Sequence, residues 1–568
     1  MWRLLLLVGC TDGKAVTPAP RDDTGSPPTD TAGSDSVPPV DSDFVAEVLL
    51  THDGCLIQTT WNVDADGDGF GGTSLTVCGW KPPPNATTDT SDCDDTRATI
   101  YPGAPGLYTS GRSEDCGESW QATTIEQVPT TSFWDSGEDD QSAWGVAVLD
   151  DVDGDGYPEL AISDRYGPDR GGSVYVIPGP IDRGVSLADM AGSARSALRG
   201  VHDARDYVET VADAGDVDGD GYPDVLVGGF QANGLPGVVY LLRGPVPAGD
   251  VMLADAAQVF DGLYEGSELG RCIGPGDIDG DSLDDVVLSA RSGDWRLDQR
   301  GEVYFLRGPA TIHSLEDAAG TIVGEPSDYI GTSLVALGDL SGDGNPDFAF
   351  SANWDHGFIV TTPPVGRVAV ADAAVDAVWD ASGAWSSGYM IANALGDIDD
   401  DGYADVGFGT AGDNSFRILR GPVDGGAVID LATASDTILW STNHGIDSAL
   451  GYATSLGDWD GDGHPDLAVA NRYYTPEAHL SNCDGIYNFY CYVGAVFLLA
   501  GPITAPSINL EEEADRLEND TPWTDGNSSQ FGYAMAGGAD LDDDGFPDLV
   551  VGDPGADLAW VVFGGGQF

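Results

Sequence analysis

Short apolar segments recur in groups of three along most of the chain. Each group opens with a strand-like segment led by an aromatic-glycine or similar pair, as in Trp144–Val148. An acidic turn leads to an apolar run such as Asp548–Gly552, and a glycine-rich turn leads to a third run such as Gly172–Ile177. Short apolar runs bounded by turn residues are typical of buried β-strands. The pattern therefore predicts an all-β fold.

The acidic turn is a nine-residue segment that occurs seven times. Consecutive copies begin 65, 61, 62, 58, 61 and 82 residues apart. Self-similarity at a nearly fixed period is the signature of a repeat architecture, so seven copies predict seven similar structural units. The copies occupy residues 151–159, 216–224, 277–285, 339–347, 397–405, 458–466 and 540–548.

Each nine-residue segment carries the oxygen donors that a hard cation requires. Side-chain oxygens at positions 1, 3 and 5, the backbone carbonyl at position 7 and the carboxylate at position 9 can converge on one point. Ligation by oxygen alone favours calcium over zinc or copper, and a flexible loop favours it over magnesium. The predicted ligands are Asp151, Asp153, Asp155, Tyr157 and Glu159; Asp216, Asp218, Asp220, Tyr222 and Asp224; Asp277, Asp279, Asp281, Leu283 and Asp285; Asp339, Ser341, Asp343, Asn345 and Asp347; Asp397, Asp399, Asp401, Tyr403 and Asp405; Asp458, Asp460, Asp462, His464 and Asp466; Asp540, Asp542, Asp544, Phe546 and Asp548.

The residue at position 12 excludes an EF-hand, whose loop begins in the same way. An EF-hand requires a bidentate glutamate at that position, at the head of a helix. All seven copies instead carry an apolar residue there, inside a strand-like run. These residues are Ile162, Val227, Leu288, Phe350, Phe408, Val469 and Val551.

The order of elements resembles the FG-GAP repeat of integrin α-subunits over about residues 123–568. Gly-Pro pairs follow the third run at 179–180, 244–245, 308–309, 421–422 and 501–502. The resemblance implies a seven-bladed β-propeller over residues 118–568, with four strands per blade and calcium between the first and second strands. We expect Thr123–Val128 to supply the outer strand of the last blade. The fourth copy matches least well, because Ser341 replaces an aspartate.

Residues 44–117 are predicted to form a separate small module. Asp64–Gly71, Cys78 and Ser91–Asp95 resemble a Cys- and Asp-rich metal-binding module of bacterial surface proteins, a family associated with both calcium and copper. The resemblance implies calcium ligands at Asp64, Asp66, Asp68 and the Phe70 carbonyl, completed by Asp92, Asp94 or Asp95; copper and no metal stay open. Seven loops and this module together predict up to eight calcium ions.

The N-terminus predicts export. Residues 1–10 resemble a bacterial lipoprotein signal with a lipobox, which implies that Cys10 carries lipid, and residues 11–43 form a Pro-, Thr- and Asp-rich tether. We expect the protein at the cell envelope, at the outer membrane or cell surface, and otherwise secreted.

Seven cysteines follow Cys10. Six of them are clustered and predict local disulfides, with the pairing among the first four open, whereas Cys272 is predicted to be a buried apolar residue. The six are Cys55, Cys78, Cys93, Cys116, Cys483 and Cys491.

The chain has 23 basic and 95 acidic residues, a formal charge of −72. So few cationic side chains cannot neutralise phosphates, which argues against a nucleic-acid partner and against membrane contact other than a lipid anchor.

No recognisable catalytic motif accompanies the seven scattered histidines. We therefore predict a non-enzymatic adhesion or ligand-binding module with structural calcium; an extracellular propeller hydrolase or lyase acting on polysaccharide or lipid is the alternative.

The longest insert, about residues 472–493, is a candidate contact for an extracellular protein or polysaccharide. Its aromatic residues, which could instead pack on a neighbouring blade, are Tyr487, Phe489, Tyr490 and Tyr492.

Overall fold

A computed structural model describes short N-terminal strands and most of residues 123–565. The gaps in the latter range are 126–127, 129, 135–141, 167–170, 201–206, 230–235, 257, 293–298, 310–313, 353–355, 374, 380–389, 412–414, 424–427, 442–448, 475–492 and 519–529. No helix in the described residues is long and apolar enough to span a membrane.

The chain divides into two compact units. The first comprises Met1–Trp61 and Leu75–Pro83, and the second comprises Asn62–Ser74 and Pro84–Phe568. The N-terminal strands are β1 (Leu50–Thr51), β2 (Gly54–Cys55), β3 (Gln58–Val63), β4 (Thr73–Cys78) and β5 (Ala86–Thr87), and β1 pairs with β2 in antiparallel orientation.

The second unit contains a seven-bladed β-propeller, as predicted. Each blade is a four-stranded antiparallel sheet, and in blades 1 to 6 the strands follow the chain from inside to outside, whereas blade 7 takes its outer strand from the N-terminal side of blade 1. Blade 1 contains β8 (Ser142–Leu149), β9 (Glu159–Asp164), β10 (Ser173–Ile177) and β12 (Ser196–Arg199). Blade 2 contains β13 (Val208–Gly215), β14 (Asp224–Gly229), β15 (Val238–Leu242) and β17 (Gln258–Asp261). Blade 3 contains β18 (Leu269–Gly276), β19 (Asp285–Ala290), β20 (Glu302–Leu306) and β21 (Gly320–Val323). Blade 4 contains β22 (Leu334–Gly338), β23 (Asp347–Ser351), β24 (His356–Val360) and β26 (Val375–Trp379). Blade 5 contains β27 (Met390–Gly396), β28 (Asp405–Ala411), β29 (Ser415–Leu419) and β31 (Thr437–Trp440). Blade 6 contains β32 (Ala449–Gly457), β33 (Asp466–Asn471), β34 (Ala495–Leu499) and β36 (Asp515–Glu518). Blade 7 contains β37 (Ala534–Ala539), β38 (Asp548–Asp553), β39 (Leu558–Val562) and β7 (Thr130–Trp134).

Short strands extend most blades, each pairing in parallel with an outer strand. They are β6 (Thr123–Thr124), β11 (Ala188–Asp189), β16 (Gly249–Met252), β25 (Gly366–Ala369), β30 (Val428–Asp430) and β35 (Ser507–Asn509). One-turn helices follow several of them or occupy the same place, and each begins with a buried apolar residue. The helices are Met190–Ser193, Leu253–Ala256, Leu315–Asp317, Val370–Asp372, Leu431–Ala434 and Leu510–Glu513.

The core consists of seven apolar clusters, one between each pair of adjacent blades. One cluster joins Leu160 and Ile162 of blade 1 to Val550 and Val561 of blade 7, which shows that the last blade packs against the first. The second strand of a blade lies between two such clusters, and all six residues of β14 are buried. Burial on both faces is why these strands are continuous apolar runs rather than alternating ones. A ring of this kind leaves few exposed sheet edges.

The N-terminal segment closes the ring, but not through the predicted residues. The outer strand of blade 7 is Thr130–Trp134, which pairs in antiparallel orientation with Leu558–Val562 and buries Phe133. Thr123–Thr124 instead pairs in parallel with β36 of blade 6. The expectation for Thr123–Val128 was therefore wrong in position, because both segments have strand-like composition and only the packing of Phe133 against blades 1 and 7 distinguishes them.

Candidate metal centre

The seven acidic segments connect the first and second strands of the seven blades, as predicted. In blade 2 the segment follows β13, and position 9, Asp224, is the first residue of β14. The inner strand ends at Gly215, where the register with β14 shifts and φ is +68°. This left-handed conformation suits glycine and turns the chain into the loop directly before Asp216. All seven loops therefore lie at the same end of their inner strands.

The aspartate at position 1 shapes the loop through hydrogen bonds to its own backbone. In blade 1, Asp151 Oδ1 accepts from the N–H of Asp155 at 2.8 Å, and Oδ2 accepts from the N–H of Gly156 at 2.9 Å. Asp216 accepts the corresponding bonds from Asp220 and Gly221 at 3.0 and 2.9 Å. Short polar side chains commonly bond to backbone in this way in turns. The loop shape is thus a local property of these few residues.

The carboxylate at position 9 is buried and joins two parts of its blade. Asp466 Oδ2 accepts from the N–H of Trp459 at 2.9 Å, and Oδ1 accepts from the N–H of Gly501 at 2.9 Å. Gly501 belongs to a Gly-Pro pair, and Gly244, Gly308 and Gly421 donate in the same way in blades 2, 3 and 5. Sequence reasoning found these pairs but missed their function, although their regular place after the third strand was a signal.

Burial raises the pKa of every position-9 carboxyl, and neighbouring aspartates add to the shift. The pKa reaches about 8 for Glu159 and Asp466, about 7 for Asp405 and Asp548, and about 6 for Asp224, Asp285 and Asp347. A bound cation would favour the charged form of these groups, because an opposite charge nearby offsets both the burial and the repulsion.

The predicted ligands converge. Within each group, one ligand atom per residue lies within 4.8 Å of the others. Such groups include Asp151, Asp153, Asp155 and Glu159; Asp216, Asp218 and Asp220; Asp277, Asp279 and Asp285; Asp397, Asp399 and Asp405; and Asp458, Asp460 and Asp466.

Several position-3 carboxylates have a buried oxygen that accepts no hydrogen bond from any described residue. These atoms are Oδ1 of Asp218, Asp399 and Asp542. A buried acceptor without a partner costs free energy. One hard cation at the convergence point would provide a partner for the cluster, so the residues fit a calcium ion as their sequence spacing predicts. The assignment of individual ligands stays a prediction.

An arginine pairs with the position-3 aspartate in five loops. Arg243 lies 2.6 Å from Asp218, Arg307 lies 2.7 Å from Asp279, and Arg420 lies 2.9 Å from Asp399. Arg195 contacts Asp153, and Arg183 of blade 1 contacts Asp542 in the loop of blade 7. These arginines offset part of the charge of each loop. Sequence reasoning missed them, although three directly precede a Gly-Pro pair.

Side chains at position 7 contact the loop of the preceding blade. A Cβ atom on Gly154 of blade 1 would lie 3.0 Å from Cε1 of Tyr222 in blade 2, and one on Gly219 would lie 2.9 Å from Leu283 in blade 3. His464 of blade 6 contacts Asp400 of blade 5. The side chain at position 7 therefore covers position 4 of the neighbouring loop, and its carbonyl stays a predicted ligand of its own loop.

The other predicted sites are outside the described residues or side chains. This applies to Asp64, Asp66, Asp68 and Phe70, to Cys10 and the six clustered cysteines, and to Tyr487, Phe489, Tyr490 and Tyr492. Cys272 is free and buried, as predicted, in the apolar cluster between blades 2 and 3.

Two of the repeats match a known repeat family. The FG-GAP repeat model matches residues 142–177 and 450–499. Integrin alpha-PS2 of Drosophila melanogaster is 29% identical over 242 residues, which is 41% of this chain and 16% of that protein. Integrin alpha-V of Gallus gallus is 28% identical over 247 residues, which is 41% of this chain and 20% of that protein.

Two further results set the extent of the similarity. Integrin alpha-7 of Rattus norvegicus is 29% identical over 174 residues, 29% of this chain and 13% of that protein. The chain thus matches only a fifth or less of the length of these relatives. A crystal structure of BBS1N in complex with ARL6DN aligns with a TM-score of 0.40 and 10% identity over 77% of this chain and 97% of that one, too weakly to support an argument. The chain is a seven-bladed β-propeller that contains FG-GAP repeats and is similar to integrin α-subunits over part of its length.

Proposed function

We propose that this protein is a calcium-binding, integrin-α-like module of the cell surface that binds an extracellular protein or polysaccharide, and that its calcium ions are structural. The observation that carries the proposal is the convergence of acidic side chains in the loops, with buried oxygens that no described residue contacts as a donor. The similarity to integrin α-subunits supports the binding role.

The position of each loop explains why the ion is structural. Ligands at positions 1 and 3 follow the inner strand, and the ligand at position 9 begins the second strand. An ion shared among them joins two neighbouring strands of one blade. It also balances carboxylates that would otherwise repel one another. Because position 7 packs on the neighbouring loop, ordering one loop supports the next.

A ligand is more easily recognised on the other face of the propeller. Inner strands begin there, second strands end there and third strands start there; in sequence, the predicted contact insert connects the second and third strands of blade 6. Connecting segments on a rigid scaffold commonly carry binding residues. A hydrolase or lyase acting on polysaccharide or lipid is the competing proposal, and substrate turnover by the purified protein would support it instead.

The metal content tests the proposed calcium sites. Elemental analysis of protein purified in calcium should find up to eight ions, seven of them in the propeller. Asp218→Asn should remove one ion, whereas the control Asp255→Asn, at an exposed acid in the same blade, should remove none. Fewer than about four ions, or mainly a transition metal, would contradict the assignment.

The proposed location depends on Cys10. We expect the protein to be attached to the cell envelope through a lipid on this residue, and Cys10→Ser to be released with its propeller folded. Fractionation of cells that produce the two forms tests this. A wild-type protein found entirely in the soluble fraction would contradict lipid attachment.

A further inference from the structure

Arginines and aromatic rings meet at the end of the inner strands opposite the acidic loops. We call this group the mouth cluster: Arg165 and Arg472 with Trp144, Tyr166, Tyr207, Tyr452, Tyr473 and Tyr533. Trp144 and Tyr452 lie near the start of β8 and β32, and Tyr533 lies just before β37. Because inner strands surround the axis of a propeller, these residues lie beside its central channel.

Aromatic rings lie between the two arginines, and each arginine contacts at least one of these rings. The Arg165 guanidinium carbon is 4.5 Å from the centre of the Trp144 ring. That ring meets Tyr533 edge-on at 4.5 Å, and the Arg472 guanidinium carbon is 5.4 Å from the centre of the Tyr533 ring. Arg472 also lies 5.8 Å from Tyr452 and 4.8 Å from Tyr473. Both cations therefore face one aromatic surface.

The two arginines differ in their ionic partners. Arg165 pairs with Glu209 at 2.7 Å. Arg472 forms no ion pair with any residue in the described part of the chain, and its Nε is buried without an acceptor there. The Trp144 indole N–H likewise has no acceptor among those residues. A half-buried cation without a counter-ion is costly, and in a chain with 95 acidic residues the placement of Arg472 among tyrosines, with a hydrogen bond to Tyr473, needs an explanation.

We propose that the mouth cluster binds a sugar acid, such as a glucuronate unit, through its carboxylate. A guanidinium donates two parallel hydrogen bonds to a carboxylate. Half-buried aromatic rings with a few polar groups are the usual lining of small-ligand sites, and they can pack against the ring of the sugar. This inference rests on the proposed ligand-binding function and specifies its ligand class.

The charge of the whole protein limits the length of that ligand. A net charge of −72 repels a long polyanion, and salt screens this repulsion only beyond about 10 Å. A single carboxylate at a chain end can approach the arginines closely, where their local attraction dominates. The site should therefore prefer short oligosaccharides with an isolated acid over heavily charged polymers.

Calorimetric titration with two disaccharides tests the inference. One contains glucuronate, and the other carries glucose in its place; both are added to the full chain in about 1 mM calcium. We expect the acid to bind and the neutral sugar to bind at least about tenfold more weakly. Arg472→Gln should lose about tenfold in affinity for the acid, and Arg165→Gln should also weaken it.

The control is Arg199→Gln. Arg199 lies on the outer strand of blade 1 and pairs with Asp250 of β16, so this substitution should not affect binding. Melting curves with and without calcium check that each variant is folded and still binds cations. Equal binding of both sugars, binding of neither, an unchanged affinity in Arg472→Gln, or preference for an acidic peptide would overturn the sugar-acid site. Calcium binding and the fold would stand in each of those cases.

Discussion

The loops of blades 2 and 4 have the same backbone frame but different predicted cation ligands. Asp216 accepts from the N–H groups of Gly219 and Gly221 at 2.8 and 2.9 Å. Asp339 makes the equivalent bonds to Gly342 and Gly344 at 2.7 and 3.0 Å. The turn is therefore formed equally well in both blades, and it does not depend on a full set of carboxylates.

The difference lies at positions 3 and 9. Blade 2 has Asp218, which Arg243 contacts, whereas blade 4 has Ser341, and no described arginine pairs with its loop. Asp224 Oδ1 accepts from Gly244, whereas Asp347 Oδ1 has no donor among the described residues. The residues that shape the loop and those predicted to set its cation affinity are thus different members of the same nine, so one property can change without the other.

Removing the cations should have the largest effect, because it acts on all loops at once. A cation that binds only the folded state stabilises it by about 1 kcal/mol or more per site when calcium exceeds Kd several-fold. Seven such contributions rival the net stability of a typical domain, about 5–15 kcal/mol. Calorimetric unfolding should show a melting midpoint more than about 10 °C lower in chelator. An unchanged midpoint would mean that the preformed turns do not need cations.

Changing the pH tests what the two loops share. Asp224 and Asp347 both have a pKa raised to about 6 by burial, compared with an ordinary value of 3.8. Across all loops the folded state holds protons that the unfolded chain has released, so the free energy of unfolding of chelated protein should fall from about pH 4 to pH 8. Calcium needs the charged carboxylates, so its stabilising increment should grow over that range. Denaturant unfolding at several pH values measures both trends, and a calcium increment that shrinks toward pH 8 would contradict this.

Removing the third ligand should separate the two loops. In calcium, Asp218→Ala should lower the free energy of unfolding by about 1–3 kcal/mol, because it removes a cation ligand and leaves Arg243 without its carboxylate. Ser341→Ala should cost less than about 0.5 kcal/mol. Thermal unfolding compares them, with Asp255→Ala as the control for loss of an exposed acid. Equal losses in the two loops would show that position 3 does not determine affinity.

Restoring the missing ligand should give the smallest effect, and its sign should depend on calcium. Ser341→Asp adds a carboxylate that a cation can use, so in calcium we expect a gain of about 0.5–1 kcal/mol. In chelator the added charge repels Asp339 and Asp343 and should destabilise the loop slightly. Paired melting curves with and without calcium measure the reversal. A change of the same sign in both conditions would contradict a cation in blade 4.

The sequence by itself determined the number of blades, the second strand of each and the place of every acidic loop. These features depend on residues close together in the chain. The nine-residue loop is shaped by bonds such as Asp151 to Gly156, and its flanking strands are continuous apolar runs. Because the same local pattern occurs seven times, the loops and their flanking strands could be predicted without knowledge of any long-range contact.

Tertiary structure alone decided how one blade meets another. The outer strand of blade 7 is Thr130–Trp134 rather than Thr123–Val128, Tyr222 covers Gly154 of the preceding loop, and Trp144 meets Tyr533. Trp144 and Tyr533 are brought together only when the last blade packs on the first. A repeat pattern does not predict which side chains contact each other between the first and last blades, because those contacts depend on the geometry of the closed ring.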